Sequence, residues 1–251
     1  MTTVNGAPLA DRRALVTGGS RGIGAQIVRR LAADGAAVSF TYGSSVTDAD
    51  QVVVDVTRAG GRVLPIRADS GDAGQIASAV DETVTRLGGL DILVNNAGVA
   101  YLAAAEQFPL DQFDRLVAVN VRGVFVAIQC ALPHLGAGGR IINIGSINAD
   151  RVPGPGLSVY AMTKAAVAGL TRGLARELGP RGITVNNVQP GPIATDMNPE
   201  EGEFADAARQ TIAVGHYGRT TDVANAVSYL AGPDSGYITG ANLDVDGGFH
   251  A

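Results

Sequence analysis

Short runs of aliphatic and β-branched residues alternate with amphipathic stretches over the whole chain of 251 residues. In the amphipathic stretches the apolar residues recur at helical spacing, for example at Ile23, Ile27 and Leu31. The runs that predict buried strands are Ala14–Val16, Val38–Thr41, Arg62–Ile66, Ile92–Val94, Arg140–Ile144, Thr184–Val188 and Leu243–Val245. Strands that alternate with helices form a parallel sheet covered by helices on both faces. We therefore predict a single doubly wound α/β domain over residues 1–251.

Charge and composition exclude several kinds of partner. The formal net charge is −5 and no cluster of Lys and Arg occurs, so we predict no binding of nucleic acid. The single cysteine, Cys130, excludes an internal disulfide, and the three histidines lie too far apart to predict a metal site. No apolar stretch reaches the roughly 18 residues that span a bilayer, and residues 1–13 lack the apolar centre of a signal peptide. We expect a soluble, cytoplasmic protein with no membrane partner.

A glycine-rich loop, Thr17–Gly24, joins the first predicted strand to the first predicted helix. Glycine permits a tight turn and the close approach of a pyrophosphate, whose charge is stabilised at the N-terminus of a helix. Such turns also occur for structural reasons alone, but the position between a strand and a helix favours a dinucleotide site. Gly18, Gly22 and Gly24 are spaced as GxxxGxG, where the common dinucleotide fingerprint is GxGxxG.

The end of the second predicted strand indicates which nicotinamide cofactor binds. An enzyme that prefers NAD has an acidic residue here, about 20 residues after the loop, to bind the ribose 2′-hydroxyl. Phe40–Ser45 contains no acid, and Asp48 follows only after a further turn. Arg21, with Ser44 and Ser45, offers partners for a 2′-phosphate, the alternative being that Arg21 faces solvent. We predict a preference for NADPH over NADH.

Tyr160 and Lys164 lie four residues apart in a predicted helix and therefore share one helix face. A nearby ammonium favours the phenolate and lowers the pKa of a tyrosine from about 10. Tyr160 would then donate a proton to a carbonyl oxygen or remove one from an alcohol. Taken alone, this pair is more often a packed ring beside a lysine. The phosphate loop and Ser146, at the end of the fifth predicted strand, favour catalysis.

Several motifs in one order resemble the short-chain dehydrogenase/reductase family over nearly the whole chain. They are TGxxxGxG at Thr17–Gly24, NNAG at Asn95–Gly98, Asn120, YxxxK at Tyr160–Lys164, Pro190–Gly191 and the carboxyl-terminal Tyr237–Gly248. The resemblance implies a Rossmann fold whose seven-stranded parallel sheet has the order 3-2-1-4-5-6-7. It also implies an NADP-dependent oxidoreductase that acts on carbonyl and alcohol groups.

The same resemblance assigns roles to site residues. Ser146 would orient the substrate carbonyl, and Lys164 would hold the nicotinamide ribose and lower the Tyr160 pKa. Asn120 would position a water that passes protons to Lys164, and Asp69 would meet the adenine. The residues expected to contact the cofactor are Gly18, Ser20, Arg21, Gly22, Ile23, Gly24, Tyr42, Gly43, Ser44, Asp69, Ser70, Asn96, Ala97, Gly98, Tyr160, Lys164, Pro190, Gly191, Ile193 and Thr195.

Two segments are expected to shape the substrate side. Thirteen residues separate Ser146 from Tyr160, about one more than is common in the family, and the Pro/Gly loop Arg151–Ser158 would absorb the difference. Residues 195–215 begin polar and acidic and follow a strand, where ligands bind in such folds. They predict a lid, with a plain surface loop as the alternative.

Small residues recur in the helix that carries Tyr160, at Ala161, Ala165, Ala168, Gly169 and Gly173. Small side chains allow the close approach of a second helix, or close packing of the helix on its own sheet. The family commonly pairs this helix across twofold axes. The resemblance therefore implies a homotetramer, with a dimer as the second choice.

Reduction of a ketone or aldehyde by hydride transfer from NADPH is the leading functional hypothesis, with a small, mainly apolar carbonyl compound as substrate. The alternative is a nucleotide-binding regulator, because Phe40–Ser45, Gly145–Arg151 and Val188–Thr195 are similar to a bacterial family member that binds cyclic-di-GMP and regulates biofilm dispersal. A sugar-nucleotide epimerase is disfavoured, since no residues remain for its substrate domain.

Overall fold

The computed structural model describes residues 7–251, apart from the side chain of Phe204. Seven strands form one parallel sheet in the order β3-β2-β1-β4-β5-β6-β7. They are β1 Arg13–Val16, β2 Ala37–Tyr42, β3 Arg62–Arg67, β4 Ile92–Asn95, β5 Arg140–Ile144, β6 Thr184–Pro190 and β7 Asn242–Val245. The sheet order and the seven strands predicted from the sequence are confirmed, with ends shifted by at most two residues.

The described residues contain eight α-helices, six of which cover the two faces of the sheet. They are α1 Gly22–Ala33, α2 Val46–Arg58, α3 Ala73–Leu87, α4 Leu110–Val117, α5 Val124–Ala131, α6 Ser158–Leu178, α7 Glu203–Thr211 and α8 Thr220–Ala231. A π-helical turn, Ala118–Gly123, joins α4 to α5. Helices α1, α2 and α8 pack on one face, and α3, α5 and α6 pack on the other.

Burial on both faces explains why the strands appear in the sequence as continuous apolar runs. Successive side chains of a strand point to opposite faces, so Val16 joins the core under α1 and α8 while Leu15 joins the core under α3 and α6. Both side chains are at most 1% exposed. A strand buried on two sides has no polar face, and the usual apolar–polar alternation is lost.

Asparagine side chains are aligned across the four strands from β4 to β7. Asn95, Asn143, Asn187 and Asn242 are register partners across these strands. The Asn95 amide donates to Asn143 (2.9 Å), and the Asn187 amide donates to Asn242 (3.0 Å). Asn143 donates to the Thr171 hydroxyl of α6 (2.9 Å). These bonds tie β4 and β5 to the helix that carries Tyr160, and they tie β6 to β7.

The turn after β3 is held by a partial capping box. The Asp72 carboxylate accepts from the Gln75 backbone N–H (3.0 Å), as the sequence indicates. The Gln75 side chain instead accepts from the Asp69 backbone N–H (2.9 Å), because Asp72 directs its own N–H to the Asp69 carbonyl. The result is a tight, ordered turn at the expected adenine position.

The small residues of α6 divide into two sets. Ala161 and Ala168 are buried against the protein's own sheet, whereas Ala165, Gly169 and Gly173 are exposed. The exposed set leaves one side of α6 open to close approach by another helix. Assembly into a homotetramer stays a prediction. No helix within residues 7–251 has the length and hydropathy needed to cross a bilayer.

Candidate active site

The glycine loop is attached to the ends of two strands. Gly18 has a positive φ of 66°, its N–H donates to the Thr41 hydroxyl (3.0 Å), and the Gly19 N–H donates to the Thr41 carbonyl (2.8 Å). The Asn96 side-chain amide donates to the carbonyls of Thr17 (3.0 Å) and Gly18 (2.9 Å). The loop is therefore rigid before any ligand arrives.

The same loop has room for phosphates because Gly24 lacks a side chain. A Cβ on Gly24 would lie 2.2 Å from the Gly18 carbonyl oxygen and 2.4 Å from the Asn96 amide nitrogen. Helix α1 begins after Arg21, whose side chain makes no cap hydrogen bond to the free N–H groups of the first turn. Thr195, after β6, approaches Gly22 from the opposite side. This cradle fits the pyrophosphate of a dinucleotide.

Beside the cradle, the end of β2 is open and free of acids. Gly43 and Ser44 are exposed, and a Cβ on Gly43 would contact nothing within 4 Å. Arg21 is exposed, and no carboxylate of the described residues forms an ion pair with it. The surface here suits a phosphate on the adenosine ribose better than a bare hydroxyl.

Asp69 has a partner that the sequence did not indicate. Its carboxylate accepts two hydrogen bonds from Arg115 of α4, at 3.0 and 2.9 Å. Arg115, together with the Gly71 N–H, lowers the pKa of Asp69 below its ordinary value. Arg115 thus fixes the turn that is expected to meet the adenine. The pair could not be predicted from a local motif, because Arg115 lies in α4 and Asp69 follows β3. Ser70 lines a small internal cavity with Thr17 and Ala97.

Tyr160, Lys164 and Ser146 converge beyond the carboxyl end of β5. Lys164 is only 6% exposed; its ammonium donates to the Ile144 carbonyl (2.9 Å) and lies 5.6 Å from the centre of the Tyr160 ring. Ser146 is buried, and its hydroxyl lowers the pKa of the Tyr160 phenol. The structure therefore brings together the three side chains that the sequence places fourteen and four residues apart.

The acid–base properties of this group differ from the sequence expectation. Burial lowers the pKa of Lys164 to about 8. Burial also raises the pKa of the Tyr160 phenol, and the Ser146 hydroxyl acts in the opposite, lowering direction. The sequence predicted a lowering of the Tyr160 pKa by Lys164. In this structure the removal of the phenol from water has the larger effect. The Lys164 ammonium donates to the Ile144 carbonyl.

Asn120 lies in the π-helical turn between α4 and α5, a type of irregularity that often marks a functional position. Its amide nitrogen donates to the Val99 carbonyl (2.9 Å) and to the Thr163 hydroxyl (3.1 Å), and its oxygen accepts from the Val99 N–H (2.9 Å). A Cβ on Gly98 would lie 3.5 Å from the Lys164 nitrogen and 3.6 Å from the Asn120 oxygen. Asn120 and Lys164 therefore flank the same glycine, although the water relay stays a prediction.

The segment after β6 closes the crevice from one side. The Gly191 N–H donates to the Val245 carbonyl (3.0 Å), and Ile193 is buried and pairs with Gly218. Helix α7, within the expected lid, packs its Ala205 against a small apolar cluster that includes Ile147, next to Ser146. The lid residues thus touch the catalytic loop, and their movement stays a prediction.

Sequence reasoning missed the hydroxyl groups that hold the site. The Thr17 hydroxyl accepts from the N–H groups of Asn96 and Ala97 (both 3.0 Å), Thr41 anchors the glycine loop, and Thr163 orients Asn120. Thr17 and Thr163 lie within the TGxxxGxG and YxxxK motifs, so their hydroxyls were a usable signal. Thr41 had none, since it reads only as a strand residue.

Comparison with known proteins places this geometry in a family. A family model described as enoyl-(acyl carrier protein) reductase matches residues 18–250. The chain belongs to the short-chain dehydrogenase/reductase family. The resemblance predicted from the sequence motifs is confirmed.

Solved members of the family share the fold over nearly the whole chain. A short-chain dehydrogenase/reductase from Serratia marcescens is 59% identical, with a TM-score of 0.96, and the match covers 97% of this chain and 100% of that one. A short-chain dehydrogenase from Burkholderia cenocepacia, solved in complex with NADP, is 52% identical, with a TM-score of 0.95 and the same coverage.

Two curated relatives carry different functional names. A cyclic-di-GMP-binding biofilm dispersal mediator protein of Escherichia coli is 44% identical over 237 residues, 94% of this chain and 96% of its own. A 3-oxoacyl-[acyl-carrier-protein] reductase of Staphylococcus aureus is 39% identical over 242 residues, 95% of this chain and 98% of its own.

Replacing Gly24 with Ala should damage the cradle. The new methyl overlaps the Gly18 carbonyl, and overpacking of this kind costs about 1–3 kcal/mol. We expect a lower free energy of unfolding in urea and weaker binding of NADPH in a fluorescence titration. Gly136→Ala is the matched control, because Gly136 is exposed, lies in the loop before β5, and a Cβ there would meet nothing within 4 Å. Unchanged NADPH affinity and stability in the Gly24 variant would contradict this description of the loop.

Lys164→Met should change how stability depends on pH. The folded protein releases the Lys164 proton near pH 8, whereas the unfolded chain keeps it until about 10.5. In that window the unfolded state binds more protons, so the stability of the wild type rises with pH. The free energy of unfolding of the wild type minus that of the variant should therefore increase between pH 8 and 10.5, measured by urea denaturation. Parallel pH curves would show that Lys164 is not held in a desolvated site.

Proposed function

We propose that the protein reduces a ketone or aldehyde to an alcohol, with NADPH as hydride donor and Tyr160 as general acid. The observation that carries the proposal is the convergence of Tyr160, Ser146 and Lys164 beside a rigid glycine cradle. A purely structural tyrosine would need neither the buried ammonium nor the Ser146 hydroxyl. Membership in an oxidoreductase family agrees with this chemistry.

Each side chain has a distinct task in the proposed reaction. Bound NADPH supplies the hydride. The Ser146 hydroxyl donates a hydrogen bond to the substrate carbonyl oxygen and orients it, and Tyr160 donates its proton to the same oxygen as negative charge develops there. Lys164 holds the nicotinamide ribose and returns a proton to the phenolate.

The pKa directions suit reduction. A phenol with a raised pKa stays protonated at neutral pH and is ready to donate. A lysine with a pKa of about 8 is mainly charged at neutral pH and gains and loses protons readily near that value. The pair can therefore deliver one proton per turnover without a histidine.

The choice of NADPH is supported by the acid-free end of β2 and by the unpaired charge of Arg21. A carboxylate at this place would repel a 2′-phosphate, and none of Tyr42–Ser45 provides one. The Burkholderia cenocepacia relative was solved with NADP. We propose that Arg21 binds the 2′-phosphate with help from Ser44 and Ser45.

A small, mainly apolar carbonyl compound fits the surroundings of the crevice. The loops after β4, β5 and β6 expose apolar side chains, among them Leu102, Val152 and Met197. Glu200 and Glu201 on the lid segment would repel an acidic carrier protein, and so disfavour the thioester substrate of the Staphylococcus aureus relative.

Tyr160→Phe is the central test. The variant keeps the ring but loses the proton donor, and general acid catalysis contributes about 10²–10⁴-fold. With a panel of ketones and aldehydes, NADPH consumption should fall by that factor while NADPH affinity and folding stay unchanged. Near-normal turnover by the variant would overturn the role of Tyr160.

The wild type should show a higher kcat/KM with NADPH than with NADH.

A nucleotide-binding regulator is the second candidate, favoured by the Escherichia coli relative. We expect cyclic-di-GMP, if it binds, to use the cradle and so to compete with NADPH. Calorimetric titration of the protein alone and with saturating NADPH measures both effects, and Tyr160→Phe should bind as the wild type does. Absence of heat in the protein alone would remove this candidate and leave the reductase proposal untouched.

We also propose a homotetramer in the cytoplasm. The exposed small residues Ala165, Gly169 and Gly173 on α6 support close helix pairing. The family resemblance supports the number of subunits.

A further inference from the structure

A buried amide, Gln189, is shared by two carboxylates. Gln189 lies in β6 and is 1% exposed, and its nitrogen donates to Asp150 (2.9 Å) and to Asp244 (2.9 Å). Its oxygen accepts from the Asn187 amide (3.1 Å). Both N–H donors and the carbonyl oxygen are thus occupied, so the orientation of the amide is fixed. Bonds to ionised acceptors are stronger than those between neutral groups.

The first carboxylate belongs to the turn that carries Ser146. Asp150 ends the short 3₁₀ turn Ile147–Ala149, which follows Ser146 directly. Inside the turn, the Ser146 hydroxyl accepts from the Asn148 N–H (3.1 Å) and the Ser146 carbonyl accepts from the Ala149 N–H (3.0 Å). An anchor on Asp150 therefore limits the movement of Ser146.

The same strand holds the other side of Ser146. The Gly145 N–H donates to the Val188 carbonyl (2.8 Å). A Cβ on Gly145 would lie 2.5 Å from the Asn187 side-chain oxygen, so the Asn187 amide packs directly on the backbone before Ser146. Ser146 is thus bounded on both sides by contacts to β6.

The second carboxylate connects the turn to the C-terminal segment. His250 Nδ1 lies 2.9 Å from Asp244, and the His250 N–H donates to Asp246 (2.7 Å). Arg151, next to Asp150, donates to the Phe249 carbonyl, and its guanidinium lies 5.0 Å from the centre of the Phe249 ring. The last residues of the chain and the catalytic turn are therefore attached to each other through Gln189 and Arg151.

We propose that Gln189 is a positioning residue for the reaction, whose amide holds the Ser146 hydroxyl opposite Tyr160 by tying Asp150 to Asp244. The inference rests on the proposed reductase function. Without the amide, Asp150 and Asp244 lose their shared donor, and the turn loses its side-chain link to β6 and β7. A displacement of about 1 Å at a catalytic group can reduce turnover about 100-fold.

The test compares four variants by steady-state kinetics with NADPH and a ketone accepted by the wild type. Gln189→Met and Asp150→Ala should lower kcat about 10–100-fold and leave the KM for NADPH within threefold. Asp150→Asn retains an oxygen that accepts from Gln189 and should restore kcat to within about threefold of the wild type. Gln51→Met is the matched control, since the Gln51 amide also donates to a carboxylate, Asp55 (2.8 Å), but on exposed α2; it should behave as the wild type.

The double variant Gln189→Met/Asp150→Ala separates positioning from general stability. Both single variants remove the same Gln189–Asp150 hydrogen bond. The double variant should therefore lose no more kcat than either single variant. Additive losses, a fall in kcat that matches the loss of folded protein in a thermal scan, or normal kcat in Gln189→Met would each overturn the proposal.

Hydrogen exchange keeps the inference separate from the proposed function. Peptides that cover residues 146–157 should exchange faster in Gln189→Met than in the wild type or in Gln51→Met. If the wild type reduces none of the carbonyl compounds, the reductase proposal fails, and faster exchange still establishes that Gln189 holds the turn. Unchanged exchange would show that it does not.

Discussion

The buried ammonium of Lys164 depends on almost every other part of the structure. It is removed from water yet bonded to the Ile144 carbonyl, which is available only because β5 ends just before Gly145 and Ser146 turn away from the sheet. Removing a charge from water lowers the stability of the folded state. The rest of the fold must therefore offset this cost and hold the ammonium in place. The two cores on either side of the sheet supply that rigidity.

The parallel arrangement then concentrates chemistry at one edge. The carboxyl ends of β1, β4, β5 and β6 lie side by side. Thr17, Asn96 and Ser146 follow the ends of β1, β4 and β5. Neutral amides and hydroxyls connect the segments at this edge. The side chains of Thr17 and Asn96 bond to each other's backbone, and the Asn120 amide bonds to the Val99 carbonyl. On the substrate side, the neutral amide of Gln189 likewise connects two segments, through Asp150 and Asp244.

Much of the local structure could be derived from the chain itself. Alternating apolar runs and helical periods determined the seven strands, because a doubly covered parallel sheet requires strands that are apolar on both faces. The glycine loop could be recognised from its glycine spacing. The structure gives the reason for one of these glycines, because a Cβ at position 24 would overlap Gly18 and Asn96. Tyr160 and Lys164 were found because one helical turn separates them, and helical geometry fixes their common face.

Other features exist only through contacts between distant segments. The Asp69–Arg115 pair and the two Gln189 hydrogen bonds join residues 39 to 55 positions apart, and no local spacing encodes them. The raised pKa of Tyr160 follows from burial, which is also set by distant segments. The sequence determined which groups are present and in what order: a phosphate loop, a Tyr–Lys pair and a strand end without acids. The tertiary structure decided their surroundings, because burial and hydrogen bonding to neighbours set a group's protonation and orientation, and both depend on what the folded chain places around it.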